Sequence, residues 1–265
     1  MSVKKEANGR RSVQVEVEVP GTPEQVWQAI ATGPGVGAWF VPSEIDGRVG
    51  GTVTSHFGGG MDSAATITKW DAPHCFAAES AWGPNGPNVA TEWTVEARDG
   101  GRCIVRVVHS LFAETDDWDN QLEGTESGWP LFFLILRFYL QHFAGQPCSL
   151  MQLVAMPAAN SGAWEKLARA LNLEGAAAGE QRSVSDAPPL SGIVEGVKGL
   201  DGGGHPHVLL RTDVPAPGAV LANACPAGKV DFVTVSFYLY GDTAASVVAR
   251  DQAAWSAWMT NLFPA

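Results

Sequence analysis

At two places in the chain a proline is followed seven positions later by a tryptophan, Pro20 by Trp27 and Pro157 by Trp164. Each proline ends an apolar, strand-like run and each tryptophan lies inside a helical pattern. In the first copy, residues 13–19 alternate apolar and polar at a period of two. Pro20, Gly21, Thr22 and Pro23 break that pattern, and Val26, Trp27 and Ile30 then recur at helical spacing. The second copy repeats the grammar with a strand over 150–156, a turn over 157–161 and a helix over 163–171. The spacing predicts two versions of one structural unit, with domains over 12–146 and 148–265 and the second a reduced copy of the first.

Length and composition fit that division. The 265 residues, 45% of them hydrophobic and ten of them Trp, supply enough apolar volume for one large or two modest cores. A formal charge of -11 and a pI near 4.9 argue against nucleic acid or an anionic membrane as a partner, since the net field repels both. Cys75, Cys103, Cys148 and Cys225 are scattered without close spacing, and no charged-then-apolar leader precedes Val13. These features predict a cytoplasmic protein with reduced, buried thiols.

Between the first short helix and a long apolar one, strand signals follow one another over 50–57, 64–70, 74–82, 89–97 and 102–111, separated by Gly, Pro and Asp clusters as in an antiparallel meander. Alternation assigns faces. Glu92, Glu96 and Arg98 outward turn Trp93 and Val95 inward. Arg102 and Arg106 outward put Cys103, Val105, Val107 and His109 inside, and Glu79 outward puts Phe76, Ala78 and Trp82 inside. The pattern leaves open whether His56 or Phe57 looks inward. The segment 129–143 is too short for a membrane span and contains Arg137. On a helical wheel Phe132, Ile135, Leu136, Tyr139 and Phe143 oppose Arg137, Gln141 and Pro130, and so wide an apolar arc needs cover on more than one flank, by a sheet and by a second domain or a dimer partner. A start near Glu126 or Ser127 places Pro130 in the first turn, where its missing N–H is harmless. The expected class is α+β, a curved antiparallel sheet wrapped around a long C-terminal helix: the helix-grip fold.

The motifs Gly37, Ala38, Trp39 and Phe40, then Gly47 to Gly51, Trp93 in the fifth strand, and Glu126, Ser127, Gly128, Trp129 and Pro130 near the last helix together resemble homologues of the activator of the heat-shock protein 90 ATPase. That group is a branch of the START and pollen-allergen-like (SRPBCC) superfamily. The resemblance covers the first 145 residues or so, and the remainder only through the internal repeat. Each motif alone is common, and their order carries the match. The resemblance implies a module that binds an apolar ligand or a protein partner, and a fold of this kind does not by itself fix a function.

The second unit reads as a helix over 163–173, a polar and small-residue stretch from Glu174 to Ser183 that is an exposed loop or the frayed end of that helix, strands over 191–197, 207–213, 219–224 and 229–240, and a final helix over 243–262. With fewer strands, its cavity is expected to be small or collapsed. It is expected to pack against the first unit and cover a flank of the long helix.

Phosphate-loop, dinucleotide-fingerprint, zinc-protease, CxxC and nucleophile-elbow motifs are all missing from the sequence. Gly58 to Gly60 and Gly202 to Gly204 lack the Lys and Ser or Thr of a phosphate cradle and read as turns. His205 and His207 have no third ligand nearby, so no metal site and no cofactor are expected. His109, inward beside Trp93, is either a titratable group in a cavity, with a pKa lowered by burial, or a core histidine satisfied by a backbone carbonyl. His56 has the same two readings. Trp39, Phe40, Trp82, Trp93, Trp129, Phe132, Leu136 and Tyr139 either line a pocket or pack a core. The catalytic set is empty, and the candidate ligand-binding set is Trp39, Phe40, His56, Trp82, Trp93, His109, Trp129, Phe132, Leu136 and Tyr139. Two readings follow: a binder of a small hydrophobic ligand held between sheet and long helix, or an interaction or chaperone-cofactor module with that space closed. A cyclase- or hydrolase-type enzyme is a third, resting on fold analogy alone. A monomer and a dimer fit equally. A continuous void favours the first reading and a filled core the second.

Overall fold

The computed structural model describes residues 3–58, 60, 62–81, 86–113, 116–185, 188–198 and 205–264. The chain divides into two compact units, 1–145 and 146–265. In the first, β1 (Lys4–Lys5), β2 (Arg10–Pro20), the short helices α1 (Pro23–Ala31) and α2 (Gly33–Gly37), the strands β3 (Ser43–Ile45), β4 (Thr52–His56), β5 (Asp62–Asp71), β6 (Cys75–Ala81), β7 (Asn88–Arg98) and β8 (Arg102–Phe112), and the helix α3 (Asp119–His142) follow in order. The strands form one antiparallel sheet in the order β1-β2-β8-β7-β6-β5-β4-β3, so the first long strand pairs with the last. This is the helix-grip arrangement.

Local chemistry explains the turn from β2 into α1. Thr22 caps the helix by accepting from the Gln25 N–H, while the Gln25 side chain accepts from the Thr22 N–H at 2.9 Å, and Pro23 occupies the first turn where its missing N–H costs nothing. Thr32 caps α2 in the same way through the Gly35 N–H at 3.1 Å. Gly35 is required there, because a Cβ at that position would lie 1.9 Å from the Gln28 carbonyl oxygen. That close approach lets the Trp39 indole N–H donate to the Ala29 carbonyl at 2.9 Å, with Trp39 fully buried.

The inward faces follow the alternation. Phe76, Ala78, Trp93, Val95, Cys103, Val105, Val107 and His109 are all buried. The long helix departs from expectation. It begins at Asp119, not near Glu126, so Pro130 lies in its interior, a position that costs about 3 kcal/mol or more in isolation. Tertiary anchors override that local preference. At the N-terminal end, Arg11 Nη1 lies 2.7 Å from Asp119 Oδ1 and Lys5 Nζ lies 2.7 Å from Asp119 Oδ2. Those hydrogen bonds, Lys5 foremost, hold the Asp119 carboxyl below its ordinary range, and a carboxylate there also suits the helix dipole. Further on, Trp129, Phe133, Ile135 and Leu136 are buried against the sheet, with Arg137 and Gln141 in solvent.

The second unit comprises β9 (Cys148–Ala155), α4 (Ala163–Ala170), β10 (Gln181–Val184), β11 (Leu190–Lys198), β12 (His207–Val214), β13 (Gly218–Ala227), β14 (Val230–Tyr240) and α5 (Ala244–Leu262). Its sheet order, β10-β11-β12-β13-β14-β9, again pairs first long strand with last. It is a tandem, reduced helix-grip copy. The stretch 174–183 is not wholly loop: β10 pairs with β11 and Ala176 is buried. The side of this sheet facing α5 is filled by Met151, Leu153, Val220, Val235, Phe237, Trp255 and Met259 among others.

Adjacent helix residues have opposite surroundings. Phe133 is 2% exposed inside the aromatic core, whereas Phe132 is half-buried and borders a cavity described below. Phe133→Ala should therefore lower the unfolding free energy by about 3–5 kcal/mol, and Phe132→Ala by less than half of that, as read from urea unfolding of the full chain.

Candidate functional site

Between the sheet and the N-terminal half of α3 lies a cavity of about 510 Å³. Its apolar wall is aromatic. Trp39 meets Trp93 edge-on at 6.1 Å between ring centroids, Trp93 meets Trp129 edge-on at 5.1 Å, Phe40 stacks on Trp129 at 5.4 Å, and Phe40 meets Phe132 edge-on at 4.6 Å. Such pairs gain from their geometry as well as from their area. The cavity reaches the helix backbone because Gly124 and Gly128, one turn apart, carry no side chain on that face. A Cβ at either would meet nothing within 4 Å.

The polar part of the wall comes from alternate residues of neighbouring strands. Ser55 and Ser63 are direct partners across β4 and β5, and Thr91 and His109 are direct partners across β7 and β8. Ser43 Oγ donates to the Val41 carbonyl at 2.9 Å, so Ser55 Oγ, 3.3 Å away, is the donor between the two serines. Among the described residues lining the cavity, His109 is the one ionisable side chain.

His109 is tied on both sides. The Trp129 indole N–H donates to Nε2 at 2.8 Å, and the two ring planes lie within 16° of each other with centroids 5.7 Å apart. Nδ1 lies 2.9 Å from Thr91 Oγ1. Burial lowers its pKa from 6.5 to about 4, because a desolvated imidazolium is disfavoured and Trp129 offers a donor where the charged ring would need an acceptor.

Six of the candidate residues, Trp39, Phe40, Trp93, His109, Trp129 and Phe132, come together around this cavity. Leu136 and Tyr139 do not line it. Both are buried in packing one and two turns further along α3, and the Tyr139 hydroxyl accepts from the Gly145 N–H at 3.0 Å. His56 is on the opposite face of β4, with Nδ1 3.1 Å from Asp62 Oδ2 and Nε2 3.9 Å from Glu44 Oε1. The inward parity belongs to Val53, Ser55 and Phe57, and Phe57 meets the Phe40 ring edge-on at 5.6 Å. Trp82 and the 202–204 glycines lie outside the described residues. Thr91, Gly124 and Gly128 were missed by pattern reading. Thr91 shares the parity of Trp93, Gly124 lies on a turn of α3 before the expected start near Glu126 or Ser127, and Gly128, inside that start, has no side chain to mark a face.

The second unit carries a counterpart of this arrangement. Phe237 is the eighth residue of β14 as His109 is of β8, and its cross-strand partners Val220 and Met151 stand where His109 has Thr91 and Val13. Trp255 of α5 approaches Phe237 at 4.8 Å, as Trp129 approaches His109. Its indole N–H, fully buried, has no hydrogen-bond partner among the described residues. His207 Nδ1 lies 3.3 Å from the His205 carbonyl, and among the described residues no group of three or more His, Cys, Asp or Glu is placed to hold a metal. The four cysteines are free. Burial pushes the Cys148 thiol up to about 12.

Residues 10–129 match the family model described as polyketide cyclase / dehydrase and lipid transport. The first unit is a helix-grip domain whose sequence over these residues is similar to that family. Solved structures similar to the chain include DynU16 from the dynemicin biosynthetic locus, at 17% identity over 95% of this chain and 96% of that one, with a TM-score of 0.43. BexL, a di-domain ARO/CYC from the BE-7585A biosynthetic pathway, is 13% identical over 96% and 99%, also with a TM-score of 0.43. The Aha1 dimer from Colwellia psychrerythraea is 24% identical over 51% of this chain and 98% of its own, with a TM-score of 0.42. No curated protein matches the chain. Among the described residues no helix is long and apolar enough to cross a membrane.

Two outcomes test the site's electrostatics and its degenerate counterpart. Between pH 6.5 and 4 native His109 binds fewer protons than the unfolded chain, so its share of stability is complete above pH 6.5 and falls away as the pH drops toward 4, on the order of 3 kcal/mol in all. The stability difference between the native protein and His109→Phe should shrink over that window in pH-dependent urea titrations. In the second unit, Val220→Thr and Phe237→His should each destabilise. Combined they should recover about 1–2 kcal/mol relative to their sum, because together they give the Trp255 N–H a satisfied partner.

Proposed function

We propose that the first domain binds one small, largely apolar molecule in the cavity between its sheet and α3. The observation that carries this is the void itself: about 510 Å³, walled by Trp39, Phe40, Trp93, Trp129 and Phe132, with a few hydroxyls on one side. That volume and mixture fall within the range of ordinary small-molecule sites, about 300–1,000 Å³. The match of residues 10–129 to a cyclase, dehydrase and lipid-transport model supports an apolar ligand. A closed, filled core would favour an interaction module, and the filled core belongs to the second unit.

The chemistry of the wall favours holding over converting. A general base needs a free lone pair near the substrate, and His109 has both nitrogens engaged and a pKa lowered to about 4. The cavity as arranged orients a ligand by shape and by hydroxyl contacts.

Native mass spectrometry of gently purified protein should retain a small molecule, and equilibrium dialysis against a panel of hydrophobic metabolites should identify its class. Gly128→Leu places a side chain in open space on a helix, so it should preserve or raise the melting temperature while lowering ligand affinity tenfold or more. Unchanged affinity in that variant would sink the cavity reading.

A further inference from the structure

The hydrogen-bond order around His109 fixes the destination of one more hydrogen. An indole N–H only donates, so Trp129 makes His109 Nε2 an acceptor. The neutral imidazole must then carry its single hydrogen on Nδ1, and that hydrogen goes to Thr91 Oγ1. The Thr91 oxygen therefore accepts, its own hydrogen is left to donate, and His109 is its one hydrogen-bond partner among the described residues. Thr91 lies on the cavity wall beside Trp93. The donor has nowhere to point but the cavity.

We infer that the Trp129, His109 and Thr91 chain presents the Thr91 hydroxyl as a fixed hydrogen-bond donor, selecting an apolar ligand that carries a carbonyl oxygen at that depth. The inference rests on the cavity reading above and narrows it: a hydrocarbon of the same shape fills the aromatic wall but offers the hydroxyl no acceptor, at the cost of one hydrogen bond. Thr91 is the residue that touches the ligand. His109 and Trp129 are positioning residues, acting by taking up the other capacity of that hydroxyl. The second unit offers a contrast, with Val220 and Phe237 at the positions of Thr91 and His109 in a filled core.

Fluorenone and fluorene share a shape and differ in one carbonyl oxygen, so equilibrium dialysis of both against the full chain isolates the contact. The native protein should prefer the ketone, and Thr91→Val should reduce the ratio of the two affinities about five- to tenfold, weakening fluorenone binding and strengthening fluorene binding as the unpartnered hydroxyl is removed. Differences in hydration of the probes cancel in that comparison. Thr91→Ser should restore the ratio, which guards against misfolding of the valine variant. The carbonyl stretch of bound fluorenone should lie at lower frequency in the native protein than in Thr91→Val. In a His109→Phe background the valine change should move the ratio by less than half as much. An equal effect there would show that His109 does not act through Thr91. If both probes bind and the ratio is indifferent to Thr91, the carbonyl selection is wrong and the cavity reading stands. If neither probe binds the native protein, both fall together.

Discussion

A tryptophan projecting from the long helix onto the last strand of the sheet is the contact around which each unit is organised. In the first, the Trp129 N–H bond to His109 Nε2 joins the middle of α3 to the middle of β8. It couples several choices at once. The bond fixes how far α3 slides along the sheet, and through Trp93, Phe40 and Phe133 it sets the aromatic wall. It also requires His109 to be neutral, so a polar group survives burial without an unpaired charge. A break there leaves a donor and an acceptor orphaned together, each costing about 1–3 kcal/mol.

The cavity arises from an asymmetry along the same helix. Beyond Trp129, large residues follow one another on the sheet side, and Phe133, Ile135, Leu136 and Tyr139 are buried. Before it, Gly124, Thr125 and Gly128 leave the helix thin where it borders the cavity. Weak helix formers and Pro130 make this half poor in intrinsic propensity. Its helicity depends on the ion pairs of Asp119 at one end and the aromatic anchors at the other. The site is thus built where the chain is least suited to close-packed helix, a common relation between function and local inconsistency.

Much of this architecture was legible in the sequence. Period-two runs placed β2 and β5 to β8 within a few residues, and the Pro-to-Trp spacing marked the duplication, because strand, tight turn and capped helix are local structures with local signals. The inward parity of Trp93 and His109 followed from charged neighbours. The failures are equally physical. The start of α3 was hidden because Gly and Pro argue against a helix that tertiary anchors impose, and with it went Gly124. In β4 polar residues occupy both faces, so parity had no apolar reference, and His56 proved to belong to the outer ion pairs with Asp62 and Glu44. Thr91 matters only through a cross-strand partner 18 residues away, and strand register is set by the assembled sheet rather than by either strand alone.

The two units together separate what the fold needs from what the site needs. Both keep the helix tryptophan facing the eighth residue of the last strand, so that contact belongs to the fold. The polar partners are kept in one unit only. Replacing a buried hydrogen-bonded pair by apolar groups is close to neutral for stability, and the second unit, with Phe237 and Val220 in place of His109 and Thr91, packs a continuous core despite the orphaned Trp255 N–H. Stability alone therefore does not call for an imidazole and a hydroxyl at these positions. Their presence in the unit with the open cavity, and their replacement in the unit without one, supports a role that faces the cavity rather than the core.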